Sequence, residues 1–326
     1  MYTKANFKKK SAEELMMTEF LVIHEDNTIL DAITYFRKFG KNKPNLYYMY
    51  VIDRGGNLTG VASVRELFTS DDHLLVRDLM MKNVTSVPAD LDQEEVARLF
   101  EEKDHLSMPV TSAGKLIGVI NVDDILDVMK QEATEDFQKM ATITPLDENL
   151  QTASVLTLYR KRIMWLIILV FMNIFSGAGI AFFEDTIESN IALVFFLPLL
   201  VDSGGNAGSQ AATLMIRSIA TGDTRLRDWF KLFTKEIFVA FLLGLTMALA
   251  VSSIGLFRGG PEIALVVSLT MVLIVMVGSL IGMSLPFIFS KFKLDPATAS
   301  APLITSICDI VGVLIYFSIA TIFLGF

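Results

Sequence analysis

The sequence predicts an α-helical membrane domain of five spanning helices behind an N-terminal α+β module of two repeats. Three observations carry that prediction. The charge divides unevenly: residues 1–160 hold 26 Asp and Glu against 18 Lys and Arg, and residues 161–326 hold 10 of each, so the net charge of −8 sits in the first part. The second part contains long uncharged apolar stretches. The first part repeats itself with a period near 60 residues.

In the first part, Leu15-Met16-Met17 recurs as Leu79-Met80-Met81. Each copy leads into a strand-like run (20–23 and 84–87), then a helical stretch, then a second run (48–52 and 108–110). A Gly-containing turn and runs through Gly60-Val61-Ala62 and Gly118-Val119-Ile120 follow. Mixed strands and helices at this period argue a paired α+β unit. The divisions that follow are a polar lead over 1–14, repeats over 15–76 and 77–136, an amphipathic connecting helix over 137–160, and the membrane part over 161–326. Phe137 to Tyr159 carries the amphipathic pattern and ends in Arg160-Lys161-Arg162, so it is expected to lie along the membrane face.

Residues 163–183, 237–257 and 263–290 carry no charge and run for 21, 21 and 28 residues. A bilayer core needs about 20 apolar residues per helix, and a soluble core helix rarely stays apolar all round for so long. Residues 190–216 and 297–326 are equally long and hold one acid each, Asp202 and Asp309. Five spans result. The basic loops, with Arg160 to Arg162, Arg217 to Lys235, and Lys291 with Lys293, alternate with acidic or sparse ones. The positive-inside rule then places the N-terminal part in the cytoplasm and the C-terminus outside a multi-pass plasma membrane protein.

Several classes are disfavoured. The first 15 residues are polar and lysine-rich, unlike a cleavable signal. The single Cys308 offers neither a disulfide framework nor a thiolate site, and His24, His73 and His105 are scattered. There is no nucleophile–base pair, phosphate-cradling loop or zinc motif, so an enzyme is not expected, and no nucleic-acid partner is indicated.

Between Asp90 and Asp136 stand 13 acids, offset by Arg98, Lys103, Lys115 and Lys130. A solvated face is the plain explanation. Yet Asp124, Asp127, Glu132, Glu135 and Asp136 fall on one helix leading toward the membrane, several three or four residues apart. Like charges at that spacing repel unless something neutralises them. Mg²⁺ prefers carboxylates and water, so an acid cluster without His or Cys suits it.

In the second span, Pro198 precedes Asp202-Ser203-Gly204-Gly205-Asn206-Ala207-Gly208-Ser209-Gln210. Pro and Gly are expected to break this helix, and broken spans with polar residues mark ion sites in transporters. Close packing through small residues explains the glycines but not Asp202, Asn206 and Gln210 together. In the fifth span, Asp309 stands in an apolar run with no basic residue in the last 30 positions. A carboxylate at a bilayer centre costs about 2.5 kcal/mol or more, which marks it as an ion ligand or proton carrier.

The repeated module resembles a tandem of CBS domains, and the whole order resembles the MgtE-type magnesium channels and transporters over about residues 12–325. Pro198 with Gly204 to Gln210, the run Arg217 to Trp229, and Pro302 through Asp309 to Tyr316 carry the second resemblance. It implies a membrane-bound homodimer whose second and fifth spans line a pore for Mg²⁺, with Asp309 as the pore acid and Asn206 beside it. It further implies cytosolic Mg²⁺-sensing acids at Asp92, Glu94, Asp104, Asp124, Asp127, Glu132, Glu135 and Asp136, and a form lacking the acidic helical domain that usually precedes the CBS pair. CBS pairs often bind adenine nucleotides such as ATP. Ser63 with Glu66 and Asn121 with Asp124 depart from the usual ribose signature, and helix capping explains them equally. Tyr48, Arg65 and Glu66 are the expected contacts if a nucleotide binds. Passage of another divalent cation, Mn²⁺ or Co²⁺, and a membrane-anchored nucleotide sensor are the alternatives.

Overall fold

The computed structural model describes residues 7–43, 47–146 and 148–325, so the first six residues of the polar lead and Asp147 of the connecting stretch lie outside the described residues. The chain divides into two compact units, Met1–Ala133 and Thr134–Phe326.

The first unit contains α1 (Ala12–Leu15), β1 (Val22–His24), α2 (Ile29–Phe39), β2 (Tyr48–Ile52), β3 (Leu58–Ser63) and α3 (Val64–Thr69). The same order returns as α4 (Val76–Leu79), β4 (Val87–Pro88), α5 (Gln93–Lys103), β5 (Ser107–Ser112), β6 (Lys115–Asn121) and α6 (Val122–Met140). Each copy forms a three-stranded sheet in which the first pair is parallel and the second antiparallel, with Tyr48 opposite Ser63 and Ser107 opposite Asn121. Two of these helices, α2 and α5, start where short polar side chains satisfy free backbone N–H groups. Thr28 and Asp31 form a reciprocal cap on α2, and Asp92 accepts the Glu94 N–H at the start of α5 (2.9 Å).

The Leu-Met-Met lead of each copy packs into the other copy. Met16 is buried with Val87, Phe100, Met108 and Ile120 of the second copy. Met80 is buried with Leu21, Ile29, Met49 and Leu67 of the first copy. Main-chain bridges follow the same exchange, Met17 to Val119 and Met81 to Val61. The two repeat glycines make room for it. A Cβ on Gly118 would lie 2.4 Å from the Met16 sulfur, and one on Gly60 would lie 2.4 Å from the Met80 sulfur. The repeats read from sequence therefore share two crossed cores.

The second unit is helical: α7 (Val155–Phe182), α8 (Glu184–Ser189), α9 (Ala192–Ala220), α10 (Trp229–Lys291) and α11 (Ala301–Leu324). Among the described residues, three stretches, Val155–Phe182, Leu226–Lys291 and Ala301–Leu324, are long and apolar enough to cross a membrane. At 63 residues α10 is bent at Gly260, whose φ of 78° a residue with a side chain rarely adopts. Its two arms return against each other. A Cβ on Gly255 would lie 2.7 Å from Ala264 Cα, and Glu236 on the first arm hydrogen-bonds Ser279 on the second.

Two sequence expectations need correction. The helix expected over 137–160 is not one element, because α6 ends at Met140 and α7 begins at Val155. Thr142 has a positive φ of 56°, Gln138 accepts the Leu146 N–H through its side chain, and Ser154 caps the following helix. Pro145 also disfavours helix at the residue before it. The break expected in the second span is absent as well: α9 is continuous through Pro198 and its glycines. Those glycines let α10 approach. A Cβ on Gly278 would lie 2.3 Å from the Gly204 carbonyl oxygen, and one on Gly282 only 1.9 Å from that of Gly208. Two small-xxx-small faces meet backbone to backbone.

Candidate functional site

One face of α9 is taken up by that glycine contact, and the side chains off it make a second, polar face. Val201, Ser203, Gly204, Ala207 and Gly208 are buried, whereas Asp202, Asn206 and Gln210 are exposed. These three recur every four residues and so form one stripe along the helix. The Asn206 amide donates to Asp202 Oδ2 at 3.0 Å. Both oxygens of Asn206 and Asp202 that would meet an ion are hard donors of the kind Mg²⁺ takes.

Asp309 is half-buried on α11, the neighbour of α9, and lies near enough to Asp202 for the two charges to interact. Helix α11 is set in place at both ends. Ser300 caps it through the Leu303 N–H, with Pro302 in the first turn where no N–H is needed. The buried Tyr316 hydroxyl donates to the Leu193 carbonyl at 2.9 Å, tying α11 to the start of α9. Thr305, one turn before Asp309, lies against the Gly205 position of α9, where a Cβ would come within 3.0 Å of its methyl group. Two acids and an amide thus share one side of an α9–α11 pair, and no Lys or Arg occurs between 190–216 or 301–326.

The acids of the first unit and of α6 are placed differently. Among the described residues, no three His, Cys, Asp or Glu side chains gather as a metal site. Asp92 caps α5, and Asp104 ends it with a left-handed φ of 51°. Glu94 and Asp127 are exposed. Glu132 pairs with Lys10 at 3.2 Å and accepts from the Gln93 amide. Glu135 pairs with Lys139 at 2.6 Å. Asp124, Asp127, Glu132, Glu135 and Asp136 do share α6, as expected.

Sequence reasoning missed one pairing here. Lys139 also reaches Asp295, at 2.5 Å, in the turn that precedes α11. Met140 joins it, packed with Ala297, Ala299, Ile304 and Cys308. Burial works against the Lys139 charge, but Asp295 and Glu135 outweigh it and raise its pKa above the ordinary lysine value. A lysine four residues after an acid on a helix was a visible signal for the Glu135 pair. Nothing local marked Asp295.

Of the expected nucleotide contacts, Tyr48 lines a cleft of about 90 Å³ with Tyr50, Asn83, Thr85, His105 and Ser107. Arg65 and Glu66 do not line it and are exposed on α3. Inside the cleft the Tyr50 hydroxyl and Ser107 Oγ are 2.6 Å apart, and burial pushes the Tyr50 phenol up to about 12.

Comparison with known proteins bears on these features directly. Residues 197–319, which span the α9 stripe and Asp309, match the MgtE divalent cation transporter family, and residues 12–71 and 76–131 match CBS domains. The magnesium transporter MgtE of Thermus thermophilus is 38% identical over 321 residues, covering 98% of this chain and 71% of that protein. The chain belongs to the MgtE family. The Bacillus subtilis magnesium transporter MgtE is 35% identical over 321 residues, with the same 98% and 71% coverage. Among solved structures, the soluble part of a magnesium transporter is 35% identical with a TM-score of 0.39, covering 40% of this chain and 51% of that one. The cytosolic domain of the Mg²⁺ channel MgtE in complex with ATP is 36% identical with a TM-score of 0.38, covering 38% and 51%. This chain thus spans about half the length of those two structures. Its MgtE membership accounts for both the CBS pair and the apolar helices.

Proposed function

We propose that this MgtE-family chain passes Mg²⁺ across the plasma membrane along a path lined by α9 and α11 of two copies. The observation that carries the reading is the polar stripe of Asp202, Asn206 and Gln210 beside Asp309, in apolar helical stretches with no Lys or Arg over 190–216 or 301–326. On a single chain that stripe is exposed, and in hydrocarbon an exposed carboxylate is costly. A second copy facing the first encloses it and doubles its charge. Mg²⁺ dehydrates reluctantly, so it enters carrying waters and is held between the two Asp309 carboxylates. The names of the relatives support Mg²⁺ over Mn²⁺ or Co²⁺ as the ion. Counting α7, α9, the two arms of α10 and α11 gives five crossings, with the CBS pair in the cytoplasm and the C-terminus outside.

Regulation follows from the acids. Cytosolic Mg²⁺ bridges carboxylates among Asp92, Glu94, Asp104, Asp124, Asp127, Glu132, Glu135 and Asp136, drawing ligands from both copies, and holds the path shut. Falling Mg²⁺ releases the bridges, and the path opens. Such gating requires Mg²⁺ to bind the closed form more tightly than the open one. This reading assigns no role to adenine nucleotide.

The test is flux. The purified chain in liposomes should carry Mg²⁺ inward down its gradient and support growth of cells lacking their own Mg²⁺ uptake. Liposomes no more permeable to Mg²⁺ than empty ones, at low Mg²⁺ on the module side, would overturn the proposal.

A further inference from the structure

Both ends of the α10 hairpin come together at a cleft of about 540 Å³ that the Mg²⁺ path does not use. The first end contributes Leu226, Arg227 and Trp229, and the second Phe287, Ile288 and Lys291. Its composition is amphiphilic. Phe287 is buried, Leu226 and Ile288 are half-exposed apolar surface, and Arg227 and Lys291 are exposed cations. Among the described residues neither cation has an ion pair. The acid next to Arg227, Asp228, is engaged by the Arg225 N–H at 2.9 Å. The apolar floor is firmly held. The Trp229 indole N–H donates to Ser284 Oγ at 3.4 Å, its ring lies 4.8 Å from that of Phe233, and both pack with Ala211 and Met283. Two free cations above a fixed aromatic and aliphatic wall match a molecule with a negative head and an apolar tail.

We propose that this cleft is a binding site for an anionic phospholipid, its phosphate between Arg227 and Lys291 and its upper acyl carbons against Trp229, Phe287 and Ile288. The proposal rests on reading these helices as membrane spans. It goes beyond general contact with lipid, because it assigns a headgroup charge and two ligating side chains. The volume lies within the range of about 300–1,000 Å³ typical of small-molecule sites. The basic loops around the cleft place it by the positive-inside rule at the cytoplasmic leaflet, which carries the anionic lipids. A lipid seated there bridges the two ends of one hairpin and braces Ala211, one turn past Asn206 on α9.

Fluorescence of Trp229 reads the site. The chain has two tryptophans, so Trp165→Phe leaves Trp229 alone as the reporter. In vesicles of phosphatidylcholine, brominated phosphatidylglycerol or brominated phosphatidylcholine is titrated in as quencher. Phosphatidylglycerol should reach half-quenching at a far lower fraction, with a relative affinity roughly 30-fold higher at about fivefold per cation. Arg227→Gln with Lys291→Gln should abolish that preference, while Lys231→Gln with Lys293→Gln, outside the cleft, should keep it. Equal quenching by both lipids, or equal loss of preference in both double variants, would overturn the site in favour of a diffuse basic surface. Absence of quenching by either lipid would instead remove the membrane reading on which the proposal stands.

Discussion

Gly282 shows how a single residue shapes the path. Its Cα lies so near the Gly208 carbonyl that a Cβ would come within 1.9 Å of the oxygen, and backbone cannot swing aside as a side chain does. Gly282→Ala should therefore push α10 off α9, lowering stability by about 1–3 kcal/mol and displacing Asn206. Thermal unfolding in detergent, with Mg²⁺ flux beside it, checks this. Gly177→Ala is the contrast, since nothing lies within 4 Å of its Cβ, and it should leave both measurements near wild type. Unequal effects in the reverse order would contradict the packing account. Before the structure, Gly204 and Gly208 read as helix breakers because glycine is a weak helix former in water. Their partners, Gly278 and Gly282, stand in a different apolar stretch, and only tertiary contact reveals the pairing. Asp309 was legible for the opposite reason: a carboxylate in an apolar run needs no partner to be noticed.

Among the elements, α6 is the one that would link the proposed sensing to the membrane part. It carries five of the expected sensing acids, crosses the boundary between the two units, and ends with Lys139 held by Glu135 and Asp295. Asp295 starts the turn leading into α11, so under the proposed gating Lys139 would act as a positioning residue between α6 and the helix bearing Asp309. Lys139→Gln should shift or flatten the dependence of Mg²⁺ flux on internal Mg²⁺ while leaving flux at low Mg²⁺ near normal. An unchanged curve would remove Lys139 from the coupling. Its raised pKa also fixes the pH behaviour: the attraction is fully present below the ordinary lysine value of 10.5 and is lost only as pH rises beyond it. The wild-type curve should therefore lose nothing from this contact between about pH 6 and 9. The amphipathic pattern over 137–160 suggested one connecting helix, but periodicity does not register Pro145 or the left-handed turn at Thr142. The Leu-Met-Met repeat was readable as a repeat, whereas its exchange between cores was not, because Met16 meets Gly118 and Met80 meets Gly60 only after folding.

At the scale of the whole molecule, the chain holds a crossed CBS pair and an apolar helical unit, and its charge is divided accordingly. The two-part architecture was legible because a bilayer and water select opposite compositions. The crossings were less so, since Gly260 merges two apolar stretches into one bent helix and Asp202 lowers the apolarity of α9. The acids expected to sense Mg²⁺ are dense in sequence, but among the described residues the fold does not gather them, with Asp92 capping a helix and Glu132 and Glu135 paired with lysine. The central claim is that Mg²⁺ passes beside Asp309, and flux through Asp309→Asn tests it most directly. That variant keeps the size of the side chain, removes its charge and exchanges one carboxylate oxygen for an NH₂ donor that cannot ligate a cation. Reconstituted at equal amounts, and as well folded and inserted as wild type, it should carry Mg²⁺ at least roughly tenfold more slowly, the effect of losing about 1.4 kcal/mol of ion stabilisation. Mg²⁺ flux equal to wild type from the same preparation would contradict the account.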